Sequence, residues 1–151
     1  MKPRKIVAIA SSGGHWVQMR RLMPAFEGCE VVFVSPAKDY AHDVPGHRFY
    51  AVADVNRSML HNLVLTIPQF IVIMLRERPD VVITTGSMPG CVGLAVAKGF
   101  SRAKTMWIDS IANCEVMSSS GRQARRFADR WLTQWEDLAA PDGPEYWGAV
   151  L

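Results

Sequence analysis

The sequence predicts an α/β domain, a Rossmann-like three-layer unit built on a mostly parallel sheet. Short continuous apolar runs such as Ile6 to Ala10 read as strands buried on both faces. These runs alternate with stretches of helical pattern, as βα repeats require. Polar clusters follow directly on the strand ends, where sheets of this class bind ligands. With 151 residues, 49% hydrophobic and 21% charged, the chain suits one packed domain over residues 1–151 and is too apolar for disorder.

Ile6 to Ala10 is the first strand, and Ser11-Ser12-Gly13-Gly14 punctuates it. His15 to Phe26 then reads as a helix, with Val17, Leu22 and Phe26 inward and Arg20 and Arg21 outward. Glu30 to Ser35 is the second strand, and a loop rich in proline, glycine and charge leads to a short strand around Arg48 to Val52. Ser58 stands where a cap is needed for a long apolar helix from Met59 to about Arg78, which Pro79-Asp80 ends. Val81 to Thr85 is a strand, and Gly86-Ser87-Met88-Pro89-Gly90 forms a second glycine-rich turn into a helix through Lys98. Lys104 to Ile108 is the next strand, terminated by Asp109-Ser110. Arg122 to Asp129 reads as helical and Arg130 to Trp135 as the last core strand.

A net charge of +3 with a pI near 8.9 fits a solvated surface with a mild bias toward anionic partners. It falls short of a nucleic-acid footprint, so no nucleic-acid partner is expected. Cys29, Cys91 and Cys114 are scattered without metal or redox spacing, which implies free thiols in a reducing compartment and no metal site; no cofactor is expected. The apolar run behind the basic Met1-Lys2-Pro3-Arg4-Lys5 is too short for a signal peptide, so a cytoplasmic location is expected.

Three polar clusters occupy strand ends: Ser11 to His15, Thr84 to Gly90, and Asp109 to Asn113. In the first, adjacent glycines tolerate positive φ and let the backbone approach a ligand. The helix behind them directs unpaired N–H groups and a partial positive charge at the loop, which suits a phosphate. His15 can donate to that phosphate or serve as a base. The same residues also make a tight strand-to-helix turn with a capping serine, and both readings stand. A dinucleotide fingerprint fits poorly, because Gly13 and Gly14 are adjacent and no third glycine follows before Gly28. No Gly-Lys-Ser/Thr is present for a Walker-type site. Thr84 to Gly90 repeats the logic of backbone N–H groups and hydroxyls without any acid. Asp109 is the carboxylate at a predicted strand end in this half of the sheet; it either accepts protons from sugar hydroxyls as a base or caps the next turn.

Met59 to Leu75 contains no carboxylate, lysine or arginine, and His61, Asn62, Thr66 and Gln69 form only a narrow polar stripe. Its residues rise about 26 Å at 1.5 Å each, short of the roughly 30 Å of a bilayer core, with Pro68 in mid-run. A helix apolar nearly all round is either covered on both sides or meets lipid. Arg57, Arg76 and Arg78 flank it and suit lipid head groups.

Taken in order, Ala10-Ser11-Ser12-Gly13-Gly14-His15, Arg78-Pro79-Asp80-Val81-Val82-Ile83-Thr84-Thr85-Gly86, Ile108-Asp109-Ser110 and Ala128-Asp129-Arg130-Trp131-Leu132-Thr133-Gln134-Trp135 resemble the Alg-fourteen-like family. Its members anchor the two-chain UDP-GlcNAc transferase of lipid-linked oligosaccharide synthesis, with bacterial counterparts of the PssD and CpsF type in capsule and exopolysaccharide synthesis. The resemblance implies a GT-B glycosyltransferase split between two proteins, this chain resembling the N-terminal, acceptor-binding half of MurG. It implies a UDP-sugar-dependent enzyme subunit that acts with a donor-binding partner, Alg-thirteen-like or PssE-like, on a polyprenyl-diphosphate-linked sugar at the cytoplasmic membrane face. Carried over by position, Ser11, Ser12, Gly13, Gly14 and His15 with Thr85, Gly86 and Ser87 hold the acceptor diphosphate. Arg122, Arg125 and Arg126 are possible electrostatic helpers, or a solvated helix face. His15 is the first candidate base and Asp109 the second, at a position where relatives often have Glu. The tail residues Tyr146, Trp147, Val150 and Leu151 are expected to dock the partner, or else to form a strand against their own sheet.

Overall fold

The strands are β1 (Lys5–Ile9), β2 (Glu30–Ser35), β3 (Arg48–Ala51), β4 (Val81–Thr84), β5 (Lys104–Ile108), β6 (Arg130–Thr133) and β7 (Glu145–Tyr146). They form one sheet in the order β3-β2-β1-β4-β5-β6-β7, and every pairing is parallel. This Rossmann-like arrangement is the predicted fold class. The structure, a computed structural model, describes residues 1–150; Leu151, one of the tail residues expected at an interface, lies outside the described residues.

Side chains alternate across the sheet, so each strand feeds two cores. On one face Val7, Ile9, Val32, Val82 and Trp107 pack with residues of α2 (Leu63–Glu77), α3 (Ser87–Phe100) and α4 (Ser119–Ala124), including Phe70, Met74, Leu94 and Ala124. On the other, Ile6, Ala8, Ala10, Phe33, Ile83 and Ile108 pack with Trp16 and Met19 of α1 (Gly14–Arg21) and with Phe26.

Several element bounds differ from expectation for identifiable reasons. α1 stops at Arg21 rather than Phe26, because Pro24 has no N–H to continue the ladder, and the chain tightens into a 3-10 turn over Met23–Phe26. Its inward face is Trp16, Gln18 and Met19, whereas Val17 is 46% exposed. The apolar helix begins at Leu63, after a 3-10 turn over Leu60–Asn62. Ser58 does not cap it; its hydroxyl and its N–H both donate to Asn56 Oδ1. The helix ends where Arg78 turns left-handed (φ 48°) ahead of Pro79. α3 starts at Ser87, so Ser87 to Gly90 form its first turn rather than a loop, and it runs on to Phe100. α4 covers Ser119–Ala124 rather than Arg122 to Asp129, because Ser118 caps it by accepting from the Gly121 N–H, and Asp129 is held instead against Thr105 and Lys98. β6 is not the last strand: the tail returns as β7 and pairs with it.

Candidate functional site

In this strand order the connections diverge between β1 and β4, and ligands of open α/β sheets bind at such a switch point, beyond the carboxyl ends of the strands. The two glycine turns lie there side by side. Gly13 takes φ 71° and leads into α1, and its N–H donates to the Tyr40 hydroxyl at 3.0 Å. Tyr40 in turn stacks flat on Trp16 at 4.7 Å, and Trp16 Nε1 donates to Asp43, so the turn rests on an aromatic support. Gly86 takes φ 128°, and a Cβ on it would stand 2.7 Å from the His15 ring. Glycine is required there both by backbone conformation and by space.

His15 and Thr85 join the two turns reciprocally. Thr85 Oγ1 donates to the His15 carbonyl at 2.6 Å, and His15 Nδ1 lies 2.9 Å from the Thr85 carbonyl. A carbonyl oxygen only accepts, so Nδ1 carries the proton and the neutral ring keeps its Nε2 lone pair free. Beside it Ser87 opens α3 with φ 72°, uncommon for a residue with a side chain. Its Oγ is the one buried side-chain polar atom among the described residues that has no hydrogen-bond partner.

A cleft of about 500 Å³ opens beside these turns; of the expected site residues Ser11, Ser12 and Ser87 line it, whereas Gly13, Gly14, His15, Thr85 and Gly86 lie outside its lining. Its walls are Ser11 and Ser12, Pro36 and Ala37, Asp54 to Arg57, Ser87 to Pro89, and Ser119 with Ser120. Arg57 is the cation among these lining residues, and its guanidinium donates to Ser119 Oγ at 3.0 Å. The loop that carries it is tied to α2: Ala53 N–H donates to Gln69 Oε1, Thr66 Oγ1 to the Ala53 carbonyl, and Asn62 Nδ2 to the Asp54 carbonyl. The polar stripe of α2 is thus the seam between helix and cleft wall. Phe70, Ile73 and Met74 are buried beneath the helix, and its remaining circumference is uncovered, with Val64 77% exposed and Leu65, Val72 and Leu75 also open. Nothing among the described residues covers the outer side of this helix. Among the described residues no helix is long and apolar enough to cross a membrane.

Asp109 is buried and lies outside the lining of the cleft. Its Oδ1 accepts from Trp107 Nε1 and Ser118 Oγ, and its Oδ2 from Asn113 Nδ2 and the Ser118 N–H. Four donors use the acceptor capacity of a carboxylate, and they fix the loop that presents Ser119 and Ser120. The arginines of the α4 region do not line the cleft. Arg122 donates to the Met117 carbonyl, Arg125 lies over the Trp131 ring and donates to the Asp142 carbonyl, and Arg126 borders a separate groove with Phe127. The cation at the cleft is instead Arg57, which the sequence pattern associates with lipid head groups. Tyr40 was illegible as a site residue, because only the fold brings its loop under Gly13. Cys91 is buried, and that burial pushes its thiol up, away from the nucleophilic thiolate.

The tail crosses the α1 side of the sheet along an apolar groove of about 530 Å³ walled by Ile6, Ile83, Ile108 and Leu132. Tyr146 belongs to β7, and Trp147 is 59% exposed with Arg130 over its ring. The Val150 N–H donates to Gln134 Oε1 at 2.7 Å, and Gln134 Nε2 donates to Gln18 Oε1 and to the Asp109 carbonyl.

The chain matches the profile of the family described as "Oligosaccharide biosynthesis protein Alg14 like" over residues 35–150. The UDP-N-acetylglucosamine transferase subunit ALG14 of Candida albicans is 26% identical over 169 residues, covering 95% of this chain and 76% of that protein. The subunit of the same description from Eremothecium gossypii is 24% identical, covering 91% and 75%. Among solved structures, Acinetobacter baumannii MurG superposes with a TM-score of 0.77 at 14% identity over 95% of this chain. This chain spans 45% of the length of that one. Rickettsia bellii UDP-N-acetylglucosamine 2-epimerase gives a TM-score of 0.69 at 15% identity, with 89% of this chain and 40% of that one covered. At these identities the likeness is one of fold.

Proposed function

The chain belongs to the Alg14-like family of oligosaccharide biosynthesis proteins, and from that premise we propose that residues 1–151 form the acceptor-side domain of a two-component, UDP-sugar-dependent glycosyltransferase. Its acceptor is a polyprenyl-diphosphate-linked sugar, met at the cytoplasmic face of the membrane. A second, donor-binding subunit supplies the nucleotide sugar.

The observation that carries this reading is the cleft at the β1/β4 switch point, set against the uncovered apolar side of α2. The diphosphate rests on Ser11 to His15 and on Thr85 to Ser87, where the N-termini of α1 and α3 converge and helix dipoles favour negative charge. The unpartnered Ser87 hydroxyl donates to it. The apolar side of α2 lies in the lipid interface, which keeps the lipid tail in the membrane while its head group reaches the cleft. His15 Nε2 takes the proton of the acceptor hydroxyl as that oxygen attacks the anomeric carbon and the nucleoside diphosphate leaves with the bonding pair. Asp109, the second candidate, acts by holding the Ser118 to Ser120 wall, its carboxylate being fully engaged. Tyr146, Trp147, Val150 and Leu151 dock the donor subunit, an aromatic and apolar surface of the kind interfaces favour.

The test is a transfer assay with a polyprenyl-diphosphate-linked sugar and a panel of UDP-sugars, with and without the co-expressed donor subunit. Product is expected only from the pair. Product from this chain alone refutes the split. Unchanged transfer by pairs carrying His15→Ala and Asp109→Ala leaves the chain as a membrane scaffold without a catalytic role.

A further inference from the structure

The cleft contains one feature that neither glycine turn accounts for. Arg57 projects from the β3–α2 loop across to the first residue of α4 and is exposed, yet it lines the cavity. Among the described residues its only hydrogen bond is to a neutral hydroxyl, Ser119 Oγ at 3.0 Å, and it takes part in no ion pair. The nearby carboxylate of the same wall, Asp54, is turned back on its own loop, with Oδ1 accepting the Val55 N–H. A guanidinium carries five donors in a planar fork suited to phosphate oxygens, so one bond to a serine leaves most of that capacity unused. The loop that carries it is anchored at Ala53 and Asp54, to Thr66 and Gln69 of α2 and to Asn62 of the turn before it.

We infer that Arg57 is the residue that grips the anionic part of the cleft's ligand, a diphosphate, and that the Ser119 hydroxyl holds the guanidinium only until a phosphate oxygen replaces it. The inference rests on the reading of the cleft as an acceptor-diphosphate site and adds to it a residue outside both glycine turns. The exchange is favourable in kind: a single hydrogen bond from the guanidinium to a neutral oxygen gives way to a two-pronged one to an anion. Because the loop is tied to the helix whose outer side is apolar, the grip is set at a fixed height relative to that side.

The experiment is calorimetric titration of the intact chain with inorganic pyrophosphate, in the absence of any membrane. It is paired with co-sedimentation on vesicles of phosphatidylcholine containing phosphatidylglycerol. Arg57→Gln should weaken pyrophosphate binding at least ten-fold with an unchanged melting temperature, Arg57→Lys should fall between it and the native chain, and Ser119→Ala should bind as well as the native chain or better. If Arg57→Gln binds pyrophosphate as the native chain does and loses only vesicle binding, Arg57 serves lipid head groups and the inference fails, while the acceptor reading survives. If Ser119→Ala loses as much as Arg57→Gln, the Arg57–Ser119 bond is structural and the inference again fails. If the native chain binds no pyrophosphate, the acceptor reading and the inference fall together.

Discussion

Trp107, Asn113 and Ser118 all point donors at the Asp109 carboxylate, two at each oxygen, so asparagine there would place an NH₂ among donors and take the acceptor from two of them. Asp109→Asn should cost about 1–3 kcal/mol, the penalty of a buried unsatisfied group, seen as a lower melting temperature. Transfer by the reconstituted pair should fall in the same proportion at every pH, since the loss is one of position; a shifted pH profile would make Asp109 a base after all. Gly86→Ala tests the other turn: it forces a Cβ to within 2.7 Å of the His15 ring and an alanine into φ 128°. Strain of about 1–3 kcal/mol should accompany a drop in transfer close to that of His15→Ala, measured on the same pair. The glycines and His15 were legible because strand-glycine-helix is a local pattern. Tyr40, Arg57 and Ser119 were not, since each enters the site through contacts between segments far apart in the chain: Gly13 with Tyr40, and Arg57 with Ser119.

At the scale of the element, α2 carries two surfaces that composition alone merges into one apolar run. Thr66, Phe70, Ile73, Met74 and Glu77 are inward, and Val64, Leu65, Val72 and Leu75 outward. Replacing Val64, Leu65 and Val72 together by glutamate should abolish co-sedimentation with anionic vesicles. It should move stability little, since exposed positions away from special features each contribute within about ±0.5 kcal/mol. Retained vesicle binding would assign the outward face to a protein partner. The helices expected from the pattern all exist, but their ends shifted wherever capping decided them, as at Ser118 for α4 and Asn56 for the turn before α2. Such ends depend on which side-chain oxygen reaches which N–H, and several candidates compete in a serine-rich stretch.

Across the whole molecule, the end of the sheet opposite the cleft is held by one buried charge. Glu77 closes α2, and its carboxylate accepts from Arg48 and Tyr50 of β3 and from Lys5 of β1. Burial alone would raise its pKa, but the hydrogen bonds from Arg48, Tyr50 and Lys5 outweigh that and hold it below the ordinary carboxylate value. A depressed folded pKa adds stability that is present above the unfolded value of about 4.3 and lost as pH falls through the folded one. Asp129, held down by Lys98 and Thr105 against the effect of its own burial, has the same sign. Melting temperature should therefore decline as pH is lowered from about 4.3, and Glu77→Gln should lower it at neutral pH and flatten that acid limb; an acid limb unchanged in Glu77→Gln would remove Glu77 as its source. The βα repeat, the parallel sheet and the two glycine turns can be read from the order of residues alone, because apolar periodicity and backbone permissiveness are local properties. The adjacency of β1 and β4, the engagement of Asp109 in a loop, the place of Arg57 in the cleft and the return of the tail as β7 emerge only from the folded chain. Those outcomes depend on strand order and on pairings between distant residues, where many arrangements satisfy the same local pattern and packing selects one.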